Sequence, residues 1–216
     1  MSVTTTPRSA LVHSYLFMRR AIGLIGMALP VVLIVGNLIW PPGLLLDSIS
    51  NAYYTPLRGV FVGSMSALGV FLVSYRGYGA VDDITGDVAG IGAIGLALFP
   101  TTPNTGATSG QVVVGDLHTA FAGVFFLALV FFCLFLFPRT IPGVRPLARK
   151  RQRNVVYRVT GVLIFVSIVL IGIVKFTSVA ASLHPMLWLE TIAILAFGVA
   201  WAVKGETLGV LRDRSA

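Results

Sequence analysis

Apolar residues in this chain come in long unbroken runs rather than in the two-residue or seven-residue rhythms of soluble strands and helices. Six such runs of about 16–23 residues recur, roughly the length a helix needs to cross a bilayer core. They predict helices over Ala21–Trp40, Leu57–Tyr75, Thr85–Phe99, Asp116–Phe137, Val156–Thr177 and Met186–Val203. Pro30 is expected to kink the first, and Trp40-Pro41-Pro42-Gly43 to stop it at an interface. The pattern predicts an all-α membrane bundle of six spans. Residues 1–20 would form a tail or interfacial helix, 21–204 the transmembrane domain and 205–216 a second tail.

Small residues punctuate the runs. Gly86, Gly90, Gly92 and Gly95 lie on the third, and Gly59, Gly63 and Ala67 stand at small-xxx-small spacing on the second. Backbones approach closely at such positions, so these two helices should pack on each other. The same Gly-rich faces could serve a protein partner or a homo-oligomer.

Composition agrees: 56% of residues are hydrophobic and only 11% charged, far from soluble usage. The net charge of +8 is explained by membrane topology without invoking nucleic acid. Arg8, Arg19 and Arg20 precede the first run, Arg76 follows the second, and Lys204, Arg212 and Arg214 follow the last. Arg139, Arg145, Arg149, Lys150, Arg151 and Arg153 crowd between the fourth and fifth, with Arg158 at the edge of the fifth. Basic loops stay cytoplasmic because anionic lipid attracts them and translocation is costly. Both termini are therefore expected on the cytoplasmic side, with Arg58 and Lys175 left on the outer face. Cys133 stands alone, so it forms no internal disulfide and belongs to no metal cluster.

Ionisable groups at membrane depth need a partner or water. Six reach the outer boundary of the predicted helices: Arg58, Asp116, His118, Lys175, His184 and Glu190. A loop adds Asp47, Ser48, Ser50, Asn51, Tyr53 and Tyr54. The economical reading makes Lys175–Glu190 an ion pair between neighbouring helices, has Arg58 pair with Asp116 or Asp47 or snorkel to phosphates, keeps His118 as a hydrogen-bonded structural residue, and makes Tyr53-Tyr54 an interfacial anchor. The sharper reading is an outward-facing site. His118 would act as a base oriented by Asp116 or Glu190, while Arg58 and Lys175 hold an anionic group beside Ser50, Tyr53 and Tyr54. Asp116 and His118 lie two residues apart, so a regular helix aims both at one point only if Asp116 is a cap. Ser50 as a nucleophile lacks any elbow motif. His118, His184 and Glu190 show no zinc spacing, and paired intramembrane histidines for haem are missing, so no metal or cofactor is expected.

Three segments carry a resemblance. They are Ser48-Ile49-Ser50-Asn51-Ala52-Tyr53-Tyr54 running into Arg58-Gly59-Val60-Phe61-Val62-Gly63, then Ala97-Leu98-Phe99-Pro100-Thr101, and Leu187-Trp188-Leu189-Glu190 running to Lys204-Gly205-Glu206. Together they resemble an uncharacterised bacterial family of multi-spanning membrane proteins grouped under a domain of unknown function. That family is distantly similar to DRAM-type and GPI-lipid-remodelling membrane proteins. The resemblance implies an all-helical bundle and no established activity. The family pattern often has an acid where this chain has Gly59.

Three functions are left in contention. The first is a lipid-binding or lipid-sensing protein, or an accessory partner in a membrane assembly. The second is a lipid-modifying hydrolase or transferase of the outer leaflet working through His118. The third, a small-solute carrier, would require polar residues at mid-membrane, where little occurs beyond Ser64, Ser66 and Ser167.

Overall fold

The structure, a computed structural model, describes residues 7–41, 43–140, 149–177 and 181–207. Arg145, Arg212 and Arg214 of the charge pattern, and Pro42 of the predicted helix stop, lie outside the described residues, as does the side chain of Arg8. Six long helices follow one another: α1 Pro7–Ile39, α2 Arg58–Ser74, α3 Ala80–Leu98, α4 Ser109–Phe131, α5 Lys150–Thr177 and α6 Pro185–Lys204. Two short 3₁₀ turns, Ile49–Tyr54 and Ala181–Leu183, lie in the connections. No strand occurs among the described residues. Each helix packs on the next, and α6 returns onto α1 to close the ring.

Four of the helices (α1, α4, α5 and α6) are long and apolar enough to cross a membrane. Helix α2 is apolar but has 17 residues, and α3 carries Asp82, Asp83 and Asp87 within its 19. The outward surface is that of a membrane protein. Along α5, Val155, Val159, Val162, Val166, Val169 and Ile173 are all exposed, a stripe too large for an aqueous surface.

Helices α1, α3, α4 and α5 begin several residues earlier than the apolar runs. Helix α1 extends back through the predicted tail to Pro7 and passes Pro30 without a helix break. Helix α4 starts at Ser109, capped by Thr108: its hydroxyl accepts from the Gln111 N–H, and the Gln111 side chain accepts from the Thr108 N–H. Hydropathy marks the apolar section, whereas a helix continues wherever backbone hydrogen bonding and a cap allow it.

Close packing uses some of the expected glycines and not others. A methyl group at Gly90 would lie 2.6 Å from the Gly69 carbonyl oxygen, and one at Gly69 would lie 2.8 Å from that of Gly90. Helices α2 and α3 therefore touch backbone to backbone, as the glycines of α3 predicted. On α2 the contact runs through Gly69 rather than Gly59 and Gly63, which have open space beside them. On the other face of α3, Gly92 meets the Phe125 backbone of α4.

Near its end α4 widens into a π turn, Phe132–Leu136, where the Phe137 N–H bonds the Phe132 carbonyl at 2.9 Å. The extra residue per turn brings both Phe132 and Phe137 against Trp201 of α6, with ring centroids 5.6 and 5.3 Å away.

Candidate functional site

The polar residues gather where α1 and α3 finish and α2, α4 and α6 begin. The segment between α1 and α2 folds in over this end rather than looping away. Ser48 caps its 3₁₀ turn, its hydroxyl oxygen accepting from the Asn51 N–H at 3.1 Å. That turn buries Ile49, Ser50 and Ala52.

Two helices then grip the turn from below. From α4, His118 is 5% exposed, with Nδ1 2.7 Å from the Phe99 carbonyl oxygen and Nε2 3.1 Å from Ser50 Oγ. A carbonyl has no proton to give, so Nδ1 carries the hydrogen. In the neutral ring Nε2 is then the acceptor and the Ser50 hydroxyl the donor. From α6, the Glu190 carboxylate accepts the Ile49 N–H at 2.6 Å. Ser50 and Glu190 both line a small cavity of about 30 Å³, otherwise walled by apolar side chains such as Phe61, Met65, Leu96 and Phe125. His118, Ser50 and Glu190 are thus brought together around one turn of chain.

The other predicted site residues lie elsewhere. Asp116 is two residues from His118, about 200° around the helix, and is exposed. It does not orient the imidazole, and it is not a cap, because α4 starts seven residues earlier. The expected Lys175–Glu190 pair does not form: Lys175 Nζ donates to Thr119 Oγ1 at 3.0 Å, while Glu190 is bound to the turn. Arg58 pairs with neither Asp116 nor Asp47. Its guanidinium lies 4.0 Å over the Tyr53 ring and donates to the Tyr53 hydroxyl. Tyr53 in turn meets Tyr54 edge to face, with centroids 5.5 Å apart. Arg58 and Lys175 therefore have separate partners and do not form a joint anion clamp.

Above the buried layer lies an open groove of about 430 Å³. Asn37, Leu44, Asp47, Asn51, Tyr54 and Asn104 are among its walls. Hydrogen bonds hold them as one frame. Asn104 Nδ2 donates to Asp47 Oδ2 at 2.5 Å and Asn51 Nδ2 to Asn104 Oδ1 at 3.1 Å. His184 Nδ1 lies 2.8 Å from Asp47 Oδ1, the Tyr54 hydroxyl donates to the Thr101 carbonyl, and Asn37 donates to the Leu44 carbonyl. The Asp47 side chain remains 57% exposed. Burial raises the Tyr54 phenol above its ordinary range, so it stays a neutral donor at any physiological pH.

In the sequence Asp47 stands out only as a loop acid or a partner for Arg58, Asn51 only as a loop residue, and neither Asn104 nor Asn37 stands out at all. An asparagine in a Pro/Thr/Gly loop carries no local mark of a distant partner. Only the folded connections bring residues 47 and 104 together. Among the described residues, no three His, Cys, Asp or Glu side chains lie close enough to share a metal ion. Compared with protein-family models, curated proteins and solved structures, the chain matches none.

Proposed function

We propose that the protein is a six-span bacterial inner-membrane protein, both termini cytoplasmic, that binds a lipid headgroup at the outer boundary. Counting α2 and α3 as spans is supported by length: at 1.5 Å per residue they reach about 25–28 Å, near the hydrocarbon thickness. The cation distribution supports the orientation. The resemblance to a multi-spanning bacterial family fits the same picture.

The groove carries the functional reading. Its walls include one carboxylate, Asp47, with three asparagine amides and the hydroxyls of Tyr54, Thr55 and Thr105, and no Lys or Arg. Such a surface suits a donor-rich or cationic group, so the ligand class is an ammonium-bearing headgroup rather than an anionic one. Arg58 lies over Tyr53, whose ring meets that of the wall residue Tyr54, and this proximity supports a contact with the phosphate of such a lipid. The Ser50–His118–Glu190 layer beneath acts as the fastening that keeps the turn, and hence the groove, in shape. Native mass spectrometry of the purified protein tests this. Phosphatidylethanolamine should be retained over phosphatidylglycerol, and Thr105→Trp, at an exposed position of the groove wall, should abolish that preference. Equal retention of both lipids, or no effect of Thr105→Trp, would sink the reading.

A second reading rests on the Ser50–His118 contact, which places a hydroxyl on the free nitrogen of an oriented imidazole, as acyl transfer requires. Ser50 is 8% exposed and its adjoining cavity holds about 30 Å³, so this chemistry needs the turn to open. Labelling of Ser50 by a fluorophosphonate, lost in His118→Ala, would favour it over the binding role.

A further inference from the structure

The opposite end of the bundle, where α1 begins and α6 ends, buries two cations. Arg19 and Lys204 are each 9% exposed. Among the described residues, the charged groups that bear on Lys204 are Arg19, Lys150, Arg153 and Asp82, three cations to one carboxylate. That carboxylate is shared, since Asp82 Oδ2 also faces Arg139 at 3.7 Å. Lys204 Nζ lies 5.0 Å from the ring centres of Tyr78 and Phe137, and the Arg19 guanidinium lies 4.0 Å over Tyr15 and 5.6 Å from Tyr75. Aromatic faces soften the burial of a cation, but they supply no counter-charge.

Hydrogen bonding is incomplete at the same place. Among the described residues, Arg19 Nε, Tyr75 Oη and Trp201 Nε1 are buried without a partner. All three belong to one contact group, because the Tyr75 ring lies 5.0 Å from that of Trp201 and under the Arg19 guanidinium. The other such atom, Asn154 Oδ1, is an acceptor on α5. An orphaned buried donor has given up its hydrogen bond to water for nothing, so three in one contact group are costly to maintain without an acceptor. The remaining Arg19 bonds are ordinary: Nη2 donates to the Tyr15 hydroxyl at 2.7 Å and Nη1 to the Lys204 carbonyl at 3.4 Å. A water molecule would answer the donors but leave the charge. An oxyanion answers both.

We propose that Arg19, Lys204 and the Tyr75 hydroxyl form a binding site for a phosphate group at the basic end of the bundle, between α1, α2 and α6. Tyr78, 60% exposed, stands on the Lys204 side and is the wall to be displaced on entry. The phosphate could belong to an anionic phospholipid or to a soluble phosphate, and both are recognised by the same groups. This site is independent of the groove at the other end.

The test uses the full chain in a phosphate-free neutral detergent, following thermal unfolding by a thiol-reactive dye on Cys133, which is 0% exposed when folded. Inorganic phosphate, phosphatidylglycerol and, as a control without phosphate, diacylglycerol are titrated in turn. The expected result is a saturable rise in midpoint with at least one of the first two and none with diacylglycerol. Half-saturation should move at least tenfold in Lys204→Met and at least threefold in Tyr75→Phe, which keeps the ring and its packing. A response to phosphatidylglycerol alone identifies a lipid phosphate, and a response to inorganic phosphate a soluble one. The proposal is overturned if neither ligand shifts the midpoint, if diacylglycerol shifts it equally, or if the shift survives undiminished in Tyr75→Phe. Should Lys204→Met not fold, Tyr75→Phe decides.

Discussion

Replacing His118 by alanine removes the link that ties the inward-folded turn to the start of α4. The imidazole bridges the Phe99 carbonyl at 2.7 Å and the Ser50 hydroxyl at 3.1 Å, and all of it lies in a nearly dry layer. Truncation leaves one acceptor and one donor stranded, each worth about 1–3 kcal/mol when buried, so a loss of about 2–5 kcal/mol is expected. For a chain of this size that corresponds to a midpoint lower by about 5–15 °C. Unfolding read through the buried thiol of Cys133 measures it in detergent. Ser50→Ala should cost less, about 1–2 kcal/mol, because it strands only Nε2. In the double variant the losses should fall short of their sum by about 1 kcal/mol, the coupling expected of groups in contact. A midpoint for His118→Ala within about 1 °C of the parent, or strict additivity with Ser50→Ala, would show that the contact does not hold the turn.

Further outcomes follow from the same geometry. Gly90→Ala should destabilise by about 1–3 kcal/mol, because the added methyl meets the Gly69 carbonyl, whereas Gly63→Ala should stay within about 0.5 kcal/mol; equal effects in the unfolding assay would deny the asymmetric use of the α2 glycines. Glu190→Gln and Lys175→Met should be additive within about 0.5 kcal/mol, since each residue has its own partner; recovery of stability in the double variant would restore the ion pair. With Cys133 replaced by serine, Thr105→Cys should react with a membrane-impermeant thiol reagent added to intact cells, and Arg76→Cys only after the membrane is opened. The reverse pattern would invert the proposed orientation.

Particular residues show how far the sequence could be read. The glycines of α3 announced a close helix contact because only a missing side chain permits backbone approach, and that contact is present. Which residue of α2 would answer them was not legible: the small-residue spacing of Gly59 and Gly63 matches a packing face as well as Gly69 does, and only the relative rotation of the two helices separates them. His118 and Ser50 were both singled out, but as separate candidates, because their 68-residue separation hides a 3.1 Å contact. Asp116, the alternative to Glu190 for orienting His118, could do so only as a cap at the start of helix 4. The Thr108–Gln111 capping box moves the start back and turns the carboxylate to the far side. At the basic end, Arg19 and Lys204 counted only as topology signals, since sequence gives a cation's side of the membrane and not its burial.

Hydropathy and the placement of glycine are properties of local stretches, so the chain by itself determined that the protein is helical, suited to a membrane and closely packed between α2 and α3. The distribution of cations set an expected orientation in the same way. What tertiary structure alone decided is which polar groups meet. Ion pairs and hydrogen bonds depend on helix rotation and on how a connecting segment folds back, and both are set by the whole ring of helices. That is why Glu190 holds a backbone amide instead of Lys175, why Asp47 and Asn104 wall one groove, and why the buried cations at the other end lie beside donors without an acceptor.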